Sequence, residues 1–213
     1  MTGQPIASGR EADVYALDDA RVLRRYRRDT DVTGEANAMR HLAGLGYPVP
    51  AVHEATGSDM ILERLDGPTM AAAVSTGDLP IAEAARMLAG LHRRLHELPP
   101  WGPGGPCILH LDLHPENVLL TVRGPVVIDW CNARLGDADL DLALTALILA
   151  EVSLWEHPMA ARAGELLTAF LPLAPGDPRR LLGDAVARRR GQVDTLTAQE
   201  IATVDTAAEL VRR

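Results

Sequence analysis

The stretch from His110 to Leu120, HLDLHPENVLL, constrains this chain more than any other. Ile108 and Leu109 precede it, and it closes on Val118, Leu119 and Leu120, so hydropathy alone reads it as buried strand. Yet it carries two histidines, two acids and an amide. Burying one such group without a partner costs about 2–7 kcal/mol. These residues must therefore satisfy one another or do chemistry. Asp112 and Asn117 stand five positions apart, and Asp129 follows Asp112 by seventeen, directly after Val126-Val127-Ile128. A carboxylate and an amide at the two ends of a loop, with a second carboxylate on the next hairpin, can converge on one cleft.

The rest of the chain bounds what such a loop can belong to. With 213 residues, 47% of them hydrophobic, there is enough for one large domain or two small lobes around a true core. The net charge of −8 argues against a general nucleic-acid binder, which wants a basic face. Cys107 and Cys131 both fall in apolar, strand-like runs and are expected to be buried, reduced thiols. The opening MTGQPIASGR lacks a basic-then-apolar export pattern, and the longest apolar run, Leu142 to Ala150, is too short to span a bilayer. The expectation is a cytoplasmic protein without membrane or nucleic-acid partners.

Periodicity places the elements. Val14 to Leu17 and Val22-Leu23 flank Asp18-Asp19-Ala20, a hairpin signal. Asp31 to Ala43 predicts a helix with Glu35, Ala38, Met39 and Leu42 on one face, ended by Gly44, Gly46 and two prolines. Ala51 to Glu54 and Met60 to Leu65 read as two more strands. Asp66-Gly67-Pro68 is the best boundary. Beyond it, Ile81 to His96 carries an apolar stripe of Ile81, Ala84, Ala85, Leu88, Leu91 and Leu95. Short strands are predicted at Ile108 to Leu111, Val118 to Val122 and Val126 to Ile128. Helices are predicted near Asp139 to Trp155, Met159 to Phe170, Asp177 to Arg190 and Thr197 to Val211. The expected organisation is α+β: a β-rich amino lobe over residues 1–65 and a mostly helical carboxy lobe over 66–213, with a small hairpin at the cleft.

The Asp112, Asn117 and Asp129 set suits phosphoryl transfer. That reaction asks little covalent work of a protein; it needs a positioned hydroxyl and divalent ions to offset phosphate charge. One Asp accepts the acceptor's proton, and the other Asp with the Asn supplies the hard oxygen ligands that Mg²⁺ prefers. The structural alternative is a set of mutually bonded buried polar groups. HLDLHPENVLL followed by VVIDW resembles the H-x-D-x-x-x-x-N and I-D-W signatures of the aminoglycoside phosphotransferase and choline kinase-like family, a branch of the protein-kinase-like fold. The continuation GDADLDLA, Gly136 to Ala143, is similar to that family's G-D-P-x-x-D-L-A pattern, with Ala138 in place of proline. The resemblance covers roughly residues 6 to 155. It implies that Asp112 is the catalytic base and that Asn117 and Asp129 are magnesium ligands. It further implies that His110 braces the loop from behind and that Asp141 caps its backbone amides. His114, Asp137 and Asp139 are candidates for the acceptor side.

In the amino lobe the resemblance is thinner. Anchored on Val14, the kinase Gly-loop pattern G-x-G-x-x-G-x-V meets Ala7, Gly9 and Ala12, so one glycine remains. Backbone N–H groups can still cradle phosphate there. Arg21-Val22-Leu23-Arg24 stands where kinases carry V-A-I-K. Alternation puts Val22 against the adenine and aims Arg24 at the phosphates, with Glu35 as its partner. Arginine keeps the charge of the usual lysine but is bulkier. The alternative is that Arg24, with Arg25, Arg27 and Arg28, belongs to a solvated basic strand. Glu63-Arg64-Leu65 takes the place of the hinge, whose backbone would bond the adenine.

The resemblance thus implies an ATP-dependent phosphotransferase, using Mg²⁺ and ATP or another nucleoside triphosphate, acting on a hydroxyl of an aminoglycoside-like antibiotic, amino alcohol or sugar. It would be a monomer or weak homodimer. A pseudokinase is the second reading, supported by Arg24 and the thin Gly loop. A protein kinase is third, since no A-P-E segment follows Asp129. His92 and His96 have metal-ligand spacing but no evident third ligand, and read as a partly exposed helix pair. Asp137, Asp139, Glu151 and Glu156 form an acidic set that would favour a cationic acceptor.

Overall fold

The computed structural model describes residues 4–103, 105–156, 158–192 and 197–213, with only the backbone at 199. In chain order its elements are β1 (Ala7–Ser8), β2 (Ala12–Ala16), β3 (Arg21–Tyr26), α1 (Thr33–Gly44), β4 (Val52–Thr56) and β5 (Asp59–Glu63). Then come α2 (Met70–Thr76), α3 (Ile81–His96), β6 (Cys107–Leu109), a 3₁₀ turn at Pro115–Asn117, β7 (Val118–Thr121), β8 (Gly124–Val127) and β9 (Arg134–Gly136). The remainder is helical: α4 (Ala138–Leu154), α5 (Ala160–Phe170), a 3₁₀ turn at Leu171–Leu173, α6 (Leu182–Gly191) and α7 (Ala198–Arg212). The fold is bilobal and α+β, with a β-sheet lobe first and a helical lobe second.

The chain separates into two compact units, Met1–Gly67 with Leu119–Ala133, and Pro68–Val118 with Arg134–Arg213. The contiguous division expected from sequence, 1–65 and 66–213, differs from this at residues 66 and 67 and by the excursion of residues 119–133.

In the first unit five antiparallel strands run in the order β1-β2-β3-β5-β4. The β2–β3 turn closes because the Asp18 carboxylate accepts the Ala20 amide at 2.9 Å, the local bond that makes aspartate a turn residue. Register sets Val14 and Met60 directly across from Arg24, and Val22 lies two residues before it, so these four side chains share one sheet face. Helix α1 buries Glu35, Ala38, Met39 and Leu42, the face that periodicity predicts. Trp130 is fully buried and meets Tyr47 edge to face at 5.7 Å. Gly67 has φ +144, and a Cβ there would stand 2.0 Å from the Leu120 carbonyl oxygen. No residue with a side chain fits that approach, so the boundary glycine is a steric necessity.

In the second unit α3 spans Ile81–His96, as its apolar stripe predicts. Helix α4 is buried on every face from Asp141 to Glu151, mostly by apolar residues, the pattern of a central helix. Helix α7 opens with a capping box: Thr197 Oγ1 accepts the Glu200 amide, and the Glu200 carboxylate accepts the Thr197 amide.

Several expectations need correction. The strand expected at Ile108 to Leu111 ends at Leu109; His110 and Leu111 already belong to the loop, which closes in a 3₁₀ turn at Pro115–Asn117. Between Asp66 and Cys107, where the sequence reading names the Ile81 to His96 helix alone, the described residues form a second helix, α2, signalled only by its Thr69 cap, which accepts the Ala72 amide, and by left-handed Gly77. Helix α6 starts at Leu182 and not at Asp177, because Asp177 folds an Asx turn onto the Arg179 amide. Cys131 is exposed in a turn after Trp130, while Cys107 is half-buried in β6; both are free thiols. Among the described residues no helix is long and apolar enough to cross a membrane.

Candidate functional site

In the first unit, Arg24 on β3 is the centre of a charged cluster. Its Nη1 donates to Glu35 Oε1 at 2.9 Å, and its Nη2 donates to Asp129 Oδ1 at 2.6 Å. Tyr26 stacks under the guanidinium at 4.9 Å and donates its hydroxyl to Glu35 Oε2 at 2.6 Å. The Trp130 amide adds a third donor to Glu35. Burial pushes the Glu35 carboxyl up from its ordinary range, against the pull of Arg24. Burial also opposes the charge of Arg24, but Asp129 and Glu35 outweigh it and raise its pKa. Arg24 is therefore no member of a solvated strand. Its neighbour Arg25, on the opposite face, pairs with Asp59 at the surface. Tyr26 has no counterpart in the sequence reading; its place two residues after Arg24, on the same strand face, is the signal that could have found it.

Asp129 has φ +65, a left-handed conformation that aspartate tolerates better than most residues. Around this cluster, Gly9 donates its amide to the Ala12 carbonyl at 2.9 Å in the turn between β1 and β2. Glu63 receives Arg123 and the Ala51 amide on its carboxylate, and Leu65 is half-buried beyond β5.

In the second unit, the loop from His110 to Asn117 is held largely by its own residues and by helices α3 and α4. Asn117 donates from Nδ2 to the Asp112 carbonyl at 2.9 Å and to Asp112 Oδ2 at 3.2 Å, and neither bond uses its amide oxygen. His110 is fully buried, and its Nδ1 accepts the Asp112 amide at 3.2 Å. His114 caps the 3₁₀ turn by accepting the Glu116 amide, and its Nε2 lies 3.6 Å from Asp112 Oδ2. Glu116 accepts the Thr69 hydroxyl. Burial raises the Asp112 pKa, but His114, His110 and Arg189 outweigh it, so the carboxyl is held below its ordinary value.

Leu111 has φ +65, costly for a branched apolar residue, by about 1–2 kcal/mol. Asp141, fully buried on α4, spans this strained point: Oδ1 accepts the Leu111 amide at 2.6 Å and Oδ2 accepts the His110 amide at 3.2 Å. His96 Nε2 lies 3.0 Å from the same Oδ2. Burial opposes the charge on Asp141, and the neighbouring histidines outweigh it, holding its pKa well below the carboxylate range.

The histidine pair is thus placed differently from expectation. His92 is fully buried, and Asp141 is the third group near the pair. The three offer metal-type ligand atoms within 4.8 Å of one another. A set with two imidazoles suits zinc and not magnesium. Asp141 is already committed to two backbone amides and to His96, so in this arrangement it braces the loop.

The acidic set is also rearranged. Arg180 binds both Asp137 and Asp139. Glu151 is fully buried and takes Arg189 at 2.6 Å. Three of the four carboxylates are thus paired with arginines of the same unit, while Glu156 is exposed.

Residues 2–104 and 64–183 match the phosphotransferase enzyme family. No protein with a curated description matches the chain in sequence. Solved structures share the fold at low identity. A complex of the amicoumacin kinase hAmiN with AMP-PNP, Ca²⁺ and Ami aligns over 98% of this chain and 87% of its own, with TM-score 0.63 and 14% identity. The gentamicin complex of APH(2")-IIa aligns over 98% and 92%, with TM-score 0.63 and 13% identity. A choline/ethanolamine kinase family protein from Mesorhizobium loti aligns over 98% and 92%, with TM-score 0.58 and 14% identity. With a match that covers more than half of its residues and a protein-kinase-like bilobal fold, the chain belongs to the phosphotransferase enzyme family.

Proposed function

We propose that the protein is an ATP-dependent phosphotransferase that moves the γ-phosphate to a hydroxyl of a small molecule. The observation that carries this reading is the Arg24–Glu35 pair, with Arg24 also bonded to Asp129. A charge buried on three elements is costly to maintain, and the family's phosphate-clamp position is where it has been kept. In this reading Asp112 accepts the proton of the acceptor hydroxyl, and its lowered pKa keeps it ionised and ready. Asn117 Oδ1 and the Asp129 carboxylate are hard oxygen donors and fit magnesium, which when bound offsets phosphate charge. Arg24 binds the donor phosphates, the amides of residues 7–12 contact them, Val14 and Val22 face the adenine, and the Glu63–Leu65 backbone bonds its edge. The acceptor class remains a hydroxylated antibiotic, amino alcohol or sugar, with His114 beside the base.

The experiment is a screen of such acceptors for phosphate transfer from ATP with Mg²⁺. Transfer to at least one supports the reading. ATP binding without transfer to any acceptor favours the second one, a nucleotide-binding pseudokinase. That reading has its own observation: the guanidinium of Arg24 occupies an oxygen of Asp129 that a metal would use.

A further inference from the structure

His92 on α3 and Thr145 on α4 are both fully buried. His92 Nε2 lies 2.9 Å from Thr145 Oγ1, and Thr145 Oγ1 lies 2.7 Å from the carbonyl oxygen of Leu113. A hydroxyl has one proton, and a carbonyl can only accept. The threonine proton therefore goes to Leu113, and His92 Nε2 must carry the proton that Thr145 accepts. In a neutral ring Nδ1 is then a bare lone pair. Nδ1 is indeed buried without a hydrogen bond, 3.4 Å from Asp141 Oδ2, whereas His96 approaches that oxygen to 3.0 Å. Burial, the largest influence on His92, pushes its pKa down and favours the neutral ring. His92 therefore reaches the loop through the Thr145 hydroxyl, while its Nδ1 faces Asp141 without a hydrogen bond.

Leu113 directly follows Asp112. Asp141 holds the amides of His110 and Leu111 on the other side. Asp112 is thus gripped in both chain directions across the strained Leu111. We propose that His92 and Thr145 are positioning residues for Asp112, a proton-ordered relay that fixes the Leu113 carbonyl. The proposal rests on Asp112 being the catalytic base. Misplacing a reacting group by about 1 Å can cost on the order of 10²-fold in rate.

The test compares four variants of the full chain: Thr145→Val, Thr145→Ser, His92→Gln and His92→Asn. Glutamine places an amide nitrogen near the Nε2 position, and asparagine places one near Nδ1. Three quantities are read: kcat and KM for ATP with the best acceptor, hydrogen exchange of the Asp112–His114 amides, and thermal melting. Thr145→Val should lower kcat by about ten- to a hundredfold with KM for ATP nearly unchanged. Thr145→Ser and His92→Gln should keep most of the rate. His92→Asn should fall with Thr145→Val, and combining the two should lose no more than Thr145→Val alone. An unchanged kcat in Thr145→Val would overturn the proposal. So would rescue by asparagine and not glutamine, which would route His92 through Asp141. If Thr145→Val does not fold, the two His92 variants decide alone. If the wild type transfers phosphate to nothing, exchange decides. Faster exchange restored by glutamine then upholds the clamp while the phosphotransferase reading falls, and unaltered exchange sinks the clamp.

Discussion

The two lobes each bury a polar cluster, and they do so in opposite ways. In the first unit Arg24, Glu35, Tyr26 and Asp129 are bound by charge, and the outermost member, Asp129, keeps 35% of its side chain exposed. In the second, Asp141, His96, His92 and Thr145 are almost wholly enclosed and spend their bonds on backbone: two amides and one carbonyl of the 110–113 loop. In the proposed function the first cluster would present charge to a ligand, and the second would shape the loop that carries Asp112. Charge costs desolvation whether or not a ligand comes, so it is left partly open; a backbone brace gains by being sealed, since low dielectric strengthens its bonds.

Substitutions can break this contrast. The largest effect on rate should come from Asp112→Asn: turnover falls by about 10²- to 10⁴-fold, the scale of general-base catalysis, with ATP affinity nearly kept. Steady-state kinetics beside nucleotide titration checks it, and unchanged turnover would remove Asp112 from the chemistry. Asp129→Ala should abolish magnesium-dependent nucleotide binding, and Asn117→Ala should weaken it less, because a neutral amide contributes less charge.

The brace should speak through stability. Asp141→Ala strips partners from buried backbone amides and from His96, at a cost of about 3–5 kcal/mol. The linked pH dependence has a definite sign. Because the folded-state pKa of Asp141 is depressed, its contribution is fully present above the ordinary carboxylate value of 3.8 and is lost as pH falls below it. Denaturant unfolding of wild type and Asp141→Asn between neutral pH and pH 3 should show a steeper acid loss in the wild type. Parallel curves would mean that the charge of Asp141 does not stabilise the fold.

Within the first unit, Arg24→Ala leaves Glu35 buried without its cation and should cost about 2–4 kcal/mol together with most of the turnover. Arg25→Ala, on the exposed face, should change neither measurably. Equal, small effects at both positions would refute the phosphate-clamp assignment. Arg24→Lys should retain activity, restoring the residue type usual in the family.

The smallest effect is expected at Arg180. Arg180→Ala should leave melting almost unaltered but free Asp137, whose carboxyl it now holds below its ordinary range, and Asp139, which it now pairs with. Amine-bearing acceptors should then gain affinity at low salt and lose the gain as salt rises. No change in their KM would show that these two carboxylates lie outside the acceptor's reach.

Much of this molecule was legible in the chain because its signals are local. The stripe of α3, the face of α1 and the loop bounded by Asp112 and Asn117 all lie within a few turns of one backbone segment, where periodicity and spacing fix what can be neighbours. Glu35 as the partner of Arg24 could be named because both stand on a predicted face. What only tertiary packing decided are the long-range pairings. His92 meets Thr145 across 53 positions, Arg180 meets Asp137 across 43, and residues 119–133 return to the first unit. A histidine at helical spacing carries no mark of which hydroxyl it will face, and an acid no mark of which arginine will neutralise it. Nor does a leucine announce a left-handed backbone. Leu111 holds φ +65 because the bonds of Asp141 to the His110 and Leu111 amides outweigh a local preference that points the other way.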